Sequence, residues 1–203
     1  MPGNTFVYST CLLMAVLCVA VLATHGLNED AVRQTIRLTA ATSFGLLICA
    51  FAARPLYQLN HSSLARSLLH QRRQIGISVA VSHSYHLLTI FLLNWVLFDG
   101  GMSFQQSLAD LGPGIAVYVI LYAMALTSNS FSQRLLGKNW KRLHRFGIYS
   151  LMIAFTAAYT GKAIESGGLY WLISSAGLAA FLLRVLAWQR QRTPQHSGDT
   201  VQN

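Results

Sequence analysis

Charged side chains are missing from six stretches of this chain, residues 6–23, 38–53, 75–97, 115–126, 146–161 and 169–183. A helix that crosses a hydrocarbon core of about 30 Å needs about 20 mostly apolar residues. The first and third runs approach that length unaided. The second, fourth and sixth are short as bounded, but flanking Thr, Ser and Gly residues extend them, and Arg184 lengthens the sixth by snorkelling to the interface. The pattern predicts an all-α integral membrane bundle of about six transmembrane helices, one domain over residues 1–188. Residues 189–203 form a polar, Pro- and Ser-containing tail with the composition of a disordered segment. No Lys or Arg precedes the first run, so it reads as a retained helix rather than a signal peptide.

Composition supports the membrane assignment. Of 203 residues, 53% are hydrophobic and 10% are charged, against about 25% charged in an ordinary soluble domain. In a soluble protein a net charge of +9 would suggest nucleic acid; here position explains it and no nucleic-acid partner is expected. Twelve of the fifteen basic residues lie in the second loop, around the fourth loop and at the C-terminal end, whereas five of the six acids, Glu29, Asp30, Asp99, Asp110 and Glu165, lie in the other loops. By the positive-inside rule both termini face the cytoplasm, and an even number of crossings agrees. Cys11, Cys18 and Cys49 all fall inside apolar runs, with neither a disulfide framework nor a CxxC metal site.

Ionisable groups are costly inside a bilayer, so histidines within apolar runs are the first candidates for chemistry. His83 and His86 lie in the third run, and their i, i+3 spacing puts both on one helix face. At 1.5 Å per residue, His86 is about 20 Å along the helix from Arg73, near mid-membrane. His144 stands at the cytoplasmic start of the fifth run. A neutral imidazole is a common axial ligand of haem iron, held between facing helices of a bundle. Arg73, Arg142 and Arg145 near the cytoplasmic ends are candidates to pair with its carboxylates. A membrane histidine also serves simply as an interhelical hydrogen-bonding group, here with Ser82, Ser84 or Tyr85 as neighbours.

Arg72-Arg73-x-x-Gly76 followed by His86 resembles the RRxxG...H pattern of ferric-reductase-like transmembrane domains, and especially of the haem-binding membrane subunits of periplasmic methionine sulfoxide reductase systems. A stronger match is Ala125-Leu126-Thr127-Ser128 with Leu136-Gly137-Lys138-Asn139-Trp140-Lys141-Arg142-Leu143-His144-Arg145 and Tyr149, similar to their ALTS...LGxxWxxLHRxxY segment. Arg54-Pro55-Leu56 at the end of the second run fits the same layout, and the resemblance covers roughly residues 30 to 165. It implies a small bacterial inner-membrane cytochrome b, with haem b, one or two, held by histidines of the third and fifth helices. The chain departs from that pattern at Ala157, where a further histidine thirteen residues after His144 is expected. Ala157 is about 18 Å beyond Arg145, almost level with His86. Three arrangements answer this: His86 binds a five-coordinate haem, His83 and His144 supply ligands in a shifted arrangement, or the haem has been lost.

The expected function is electron transfer across the bilayer. With no Gly-rich dinucleotide fingerprint and no room for a flavin and nicotinamide domain, electrons come from a quinone or a partner protein and pass to a periplasmic reductase or a metal ion. A bound flavin or quinone is compatible with the sequence. The rivals are a haem-free membrane scaffold that keeps the fold, supported by Ala157, and a small transporter using His83 and His86, disfavoured because no acidic residue accompanies them in the membrane.

Overall fold

The computed structural model describes residues 4–94 and 108–192. Among them there are seven α-helices and no strand: α1 (Thr5–His25), α2 (Glu29–Leu59), α3 (Ser63–Leu92), α4 (Leu108–Leu126), α5 (Ser130–Leu136), α6 (Lys138–Ser166) and α7 (Leu169–Arg192). Short polar connections carry the start signals. The side chains of Asn28, Ser62 and Asn129 accept from the backbone N–H groups of Ala31, Ala65 and Ser132 at the beginnings of α2, α3 and α5. Glu29 and Asp30 add negative charge to the first turn of α2, where the helix dipole favours it. Gly137 adopts φ 51°, a left-handed conformation that lets α5 turn directly into α6.

The apolar runs of the sequence reappear as helices, most of them longer than the runs. α1, α2, α3 and α7 are each long and apolar enough to cross a membrane, and α4 with α5 makes a further candidate span, sharply bent by 103°. The protein is a multi-pass membrane protein. α6 has the length, 29 residues, but Lys138, Lys141, Arg142 and Arg145 crowd its first two turns and Lys162 stands near its end, so its apolar stretch is the most diluted. α7 runs to Arg192, so the first residues of the predicted tail are helical. The rest of that tail, residues 193–203, lies outside the described residues, as does the end of the third apolar run.

α2 is the centre of the bundle and packs against α1, α3, α6 and α7, while α4 packs on α6 and α3. Its fully buried Phe44 stacks on Phe155 and Tyr159 of α6, with ring centroids at 5.5 and 5.1 Å. Without a hydrophobic force between helices in lipid, such close packing depends on small residues. Gly177 of α7 is one: a Cβ there would sit 2.7 Å from both the Phe44 ring and Thr156 Oγ1. Gly147 of α6 is another, where a Cβ would run into Met124 of α4.

Two breaks in the helical ladder define one end of the bundle. Pro55 lies inside α2 and has no N–H, so the carbonyl of Phe51, four residues back, loses its helical partner. The guanidinium of Arg184 in α7 donates to that carbonyl at 3.5 Å and lies 4.1 Å over the Phe51 ring. The second break is the elbow between α4 and α5. Trp140 Nε1 donates to the carbonyl of Thr127 at 2.8 Å, and Arg73 Nε to that of Ser128 at 2.6 Å.

The glycine contacts give a paired test. Gly177→Ala is expected to destabilise the bundle by about 1–3 kcal/mol through overpacking, seen as a lower unfolding midpoint in detergent. Gly161→Ala, with no atom within 4 Å of the added Cβ, is expected to leave the midpoint unchanged or raise it, because alanine favours a helix interior.

Candidate functional site

Two layers of polar chemistry lie along one face of α3. Gly76, Val79, His83 and His86 recur at intervals of three or four residues and so share that face. The layer nearer the middle of the bundle is built on the two histidines. Their rings stack with centroids 4.8 Å apart and 15° between planes. His83 is buried, only 6% exposed, with Tyr118 of α4 stacked at 4.7 Å and Phe155 of α6 at 5.1 Å. Its Nδ1 is buried without a hydrogen-bond partner, an uncommon condition for an interior polar atom.

His86 differs in one decisive respect. Its Nδ1 lies 3.0 Å from the carbonyl oxygen of Ile36 and 3.3 Å from Thr39 Oγ1. A carbonyl can only accept, so Nδ1 carries the proton, and the neutral ring presents a bare lone pair on Nε2. This backbone-oriented tautomer is the form in which imidazole binds metals through Nε2.

His144 has the opposite tautomer. Thr127 Oγ1 donates to the carbonyl of Ala123 at 2.6 Å and therefore accepts from His144 Nε2, 3.0 Å away. The ring stacks on Trp140 at 4.2 Å. Thr127, Ser128, Trp140 and His144, the strongest part of the sequence pattern, thus meet at the α4–α5 elbow and hold it. Among the described residues no cluster of three or more His, Cys, Asp or Glu is placed to hold a bare metal ion.

The second layer is a cavity of about 910 Å³ at the end of the bundle where α2, α3 and α7 carry their arginines, within the range of about 300–1,000 Å³ that cofactor and small-molecule sites occupy. Its inner wall is apolar, with Leu47 of α2, Val79 of α3, Leu121 of α4, and Ile148 and Leu151 of α6. Arg54, Arg72, Arg73, Lys141, Arg145 and Arg184 line it together with His70 and His144, and no Asp or Glu does. The two ion pairs among the described residues, Arg33 with Glu29 and Lys162 with Glu165, involve none of these cations.

Of the residues singled out in the sequence, His83 and His86 come together, Arg73 and His144 line the cavity, and Arg142 does not: it is exposed on another side of α6. Ala157 is exposed as well. Thirteen residues turn it about 140° around the helix from His144. The α6 side chain that meets His83 is Phe155. The sequence did not single out His70, Lys141 or Arg184 as site residues. Helical phase separates Arg145 from Arg142, and Pro55 is the one sequence signal for Arg184, since it frees the carbonyl to which that arginine binds.

No protein-family model matches the chain, and no solved structure matches it. Curated relatives do. The chain is 30% identical over 178 residues to the protein-methionine-sulfoxide reductase heme-binding subunit MsrQ of Bordetella pertussis (strain Tohama I), covering 84% of this chain and 82% of the relative. Its counterpart in Bordetella bronchiseptica is similar to the same extent. MsrQ of Salmonella paratyphi B is 30% identical over 121 residues, 59% of each chain. With that identity sustained over four-fifths of both chains, this protein belongs to the MsrQ family of membrane subunits.

Proposed function

We propose that the protein is a bacterial inner-membrane b-type haem protein that carries electrons across the bilayer, from a quinone or partner protein to a reductase at the outer face. The observation that carries this is the 3.0 Å contact between His86 Nδ1 and the Ile36 carbonyl, from which the tautomer follows. A histidine within a membrane-spanning helix, with Nδ1–H fixed by the Ile36 carbonyl and Nε2 left bare, has the donor chemistry that would hold a haem iron. The residues present therefore fit the group. Haem bound there supplies one-electron redox chemistry.

The chain's own residues do the rest. Ile36 and Thr39 of α2 orient the His86 ring, and Thr39 is itself held by its bond to the Thr35 carbonyl at 2.9 Å. His83, Tyr118 and Phe155 close the layer next to it and keep water out. Phe155 beside His83 and the outward-facing Ala157 leave α6 without a histidine in this layer, so His86 would be the residue that holds the group. We infer further that α6 makes the sixth crossing, and that the arginine-rich end with both termini lies in the cytoplasm, as the charge distribution favours. The names of the relatives place them with a methionine sulfoxide reductase, and the partner inferred here is a periplasmic enzyme of that kind.

His86→Ala is expected to remove most of the bound haem, read by the pyridine haemochrome assay on detergent-purified protein; full haem content in that variant would exclude His86 as ligand. His144→Ala is expected to leave the haem spectrum unchanged while lowering the unfolding midpoint, since its bond to Thr127 and its stacking on Trp140 hold the elbow. A net hydrogen bond of this kind contributes about 0.5–1.5 kcal/mol.

A further inference from the structure

We propose that the arginine-lined cavity binds the phosphate headgroup of an anionic phospholipid drawn from the adjoining leaflet. The inference goes beyond the haem assignment and does not depend on it.

Six cationic side chains converge on the cavity, none with a carboxylate partner among the described residues. Three of the guanidiniums are fixed rather than free. Arg72 Nε donates to the Ala50 carbonyl at 3.0 Å, Arg73 Nε to Ser128 and Arg184 Nη2 to Phe51. Each carbonyl takes one of the five donors that a guanidinium carries, so the remaining N–H groups are available at set positions. Arg184 is also held between aromatic faces, 4.1 Å from the Phe51 centroid and 4.9 Å from that of Tyr149. Arg72 and Arg184 are half-buried, where like charges repel with little screening. A site of this kind calls for an anion.

Two further points identify its chemistry. Arg72 and Arg73 lie fourteen and thirteen residues before His86, about 20 Å along α3, and the two carboxylates of a group ligated at His86 would in any case answer only two of six cations. Behind the cations the wall is apolar, so the cavity suits a molecule with an anionic head and a hydrocarbon body. Basic pockets between membrane helices hold anionic lipid headgroups in this way.

The test uses full-length protein, delipidated in neutral detergent and titrated separately with phosphatidylglycerol, phosphatidylcholine and inorganic phosphate. Phosphatidylglycerol is expected to raise the unfolding midpoint by about 5 °C and to remain bound at one lipid per chain in native mass spectrometry; phosphatidylcholine and inorganic phosphate are expected to do neither. Arg72→Gln with Arg184→Gln is expected to weaken phosphatidylglycerol binding at least tenfold. Arg145→Gln, at an exposed position that cannot compromise the core, is expected to weaken it about threefold, and Arg142→Gln to leave it unchanged. Equal stabilisation by phosphatidylcholine overturns the proposal, as does a full shift with inorganic phosphate alone, which would make the ligand a soluble phosphate. Equal loss in Arg142→Gln and Arg145→Gln overturns it too. Haem content measured on the same samples separates this outcome from the fate of the haem assignment.

Discussion

In the hydrocarbon core of a bilayer every backbone carbonyl must find its donor within the protein, and at one end of this bundle the carbonyls that the helices release are met by side chains of neighbouring helices. Pro55 releases a carbonyl in α2, and the elbow after α4 releases two more. Arg184, Trp140 and Arg73, from three different helices, answer them. Arg190 does the same for Leu59 at the end of α2, at 3.0 Å. Two of the guanidiniums that line the cavity, those of Arg73 and Arg184, are thus fixed in place by helix accounting before any ligand is considered. Breaks that would be defects elsewhere here orient donors.

The histidine layer follows the same logic at a different depth. His86 leans on the Ile36 carbonyl and on Thr39, which belongs to a run of hydroxyl side chains, Thr35, Thr39 and Ser43, that are themselves bonded back to α2. The Ser43 hydroxyl also lies 3.0 Å from that of Ser82 of α3. α2 and α3 are therefore joined by a polar seam within an apolar bundle, and that seam sets the rotation of α3 about its own axis. The direction of both histidines depends on it.

Much of this was legible in the chain. Charge-free runs gave the helices of the bundle, and the i, i+3 spacing gave the shared face of His83 and His86. Rotation was the harder quantity. Counting residues places Ala157 level with His86, but only the packing of Phe155, Thr156 and Tyr159 against α2, α3 and α7 turns position 157 outward. The same holds for Arg142 and Arg145, three residues apart, of which only the second lines the cavity. Tautomers lay beyond the sequence altogether, since they depend on which carbonyl or hydroxyl each ring meets across a helix boundary.

The elbow at Thr127 and Ser128 also has a mechanical consequence. The backbones of α3 and α6 do not pack against each other, yet each grips the same short piece of chain, α3 through Arg73 and α6 through Trp140 and His144. A displacement of either helix pulls on the end of α4 and is felt by the other. Two helices whose backbones keep apart, and which meet side chain to side chain at His83 and Phe155, are thereby tied a second time at one end, like struts sharing a joint.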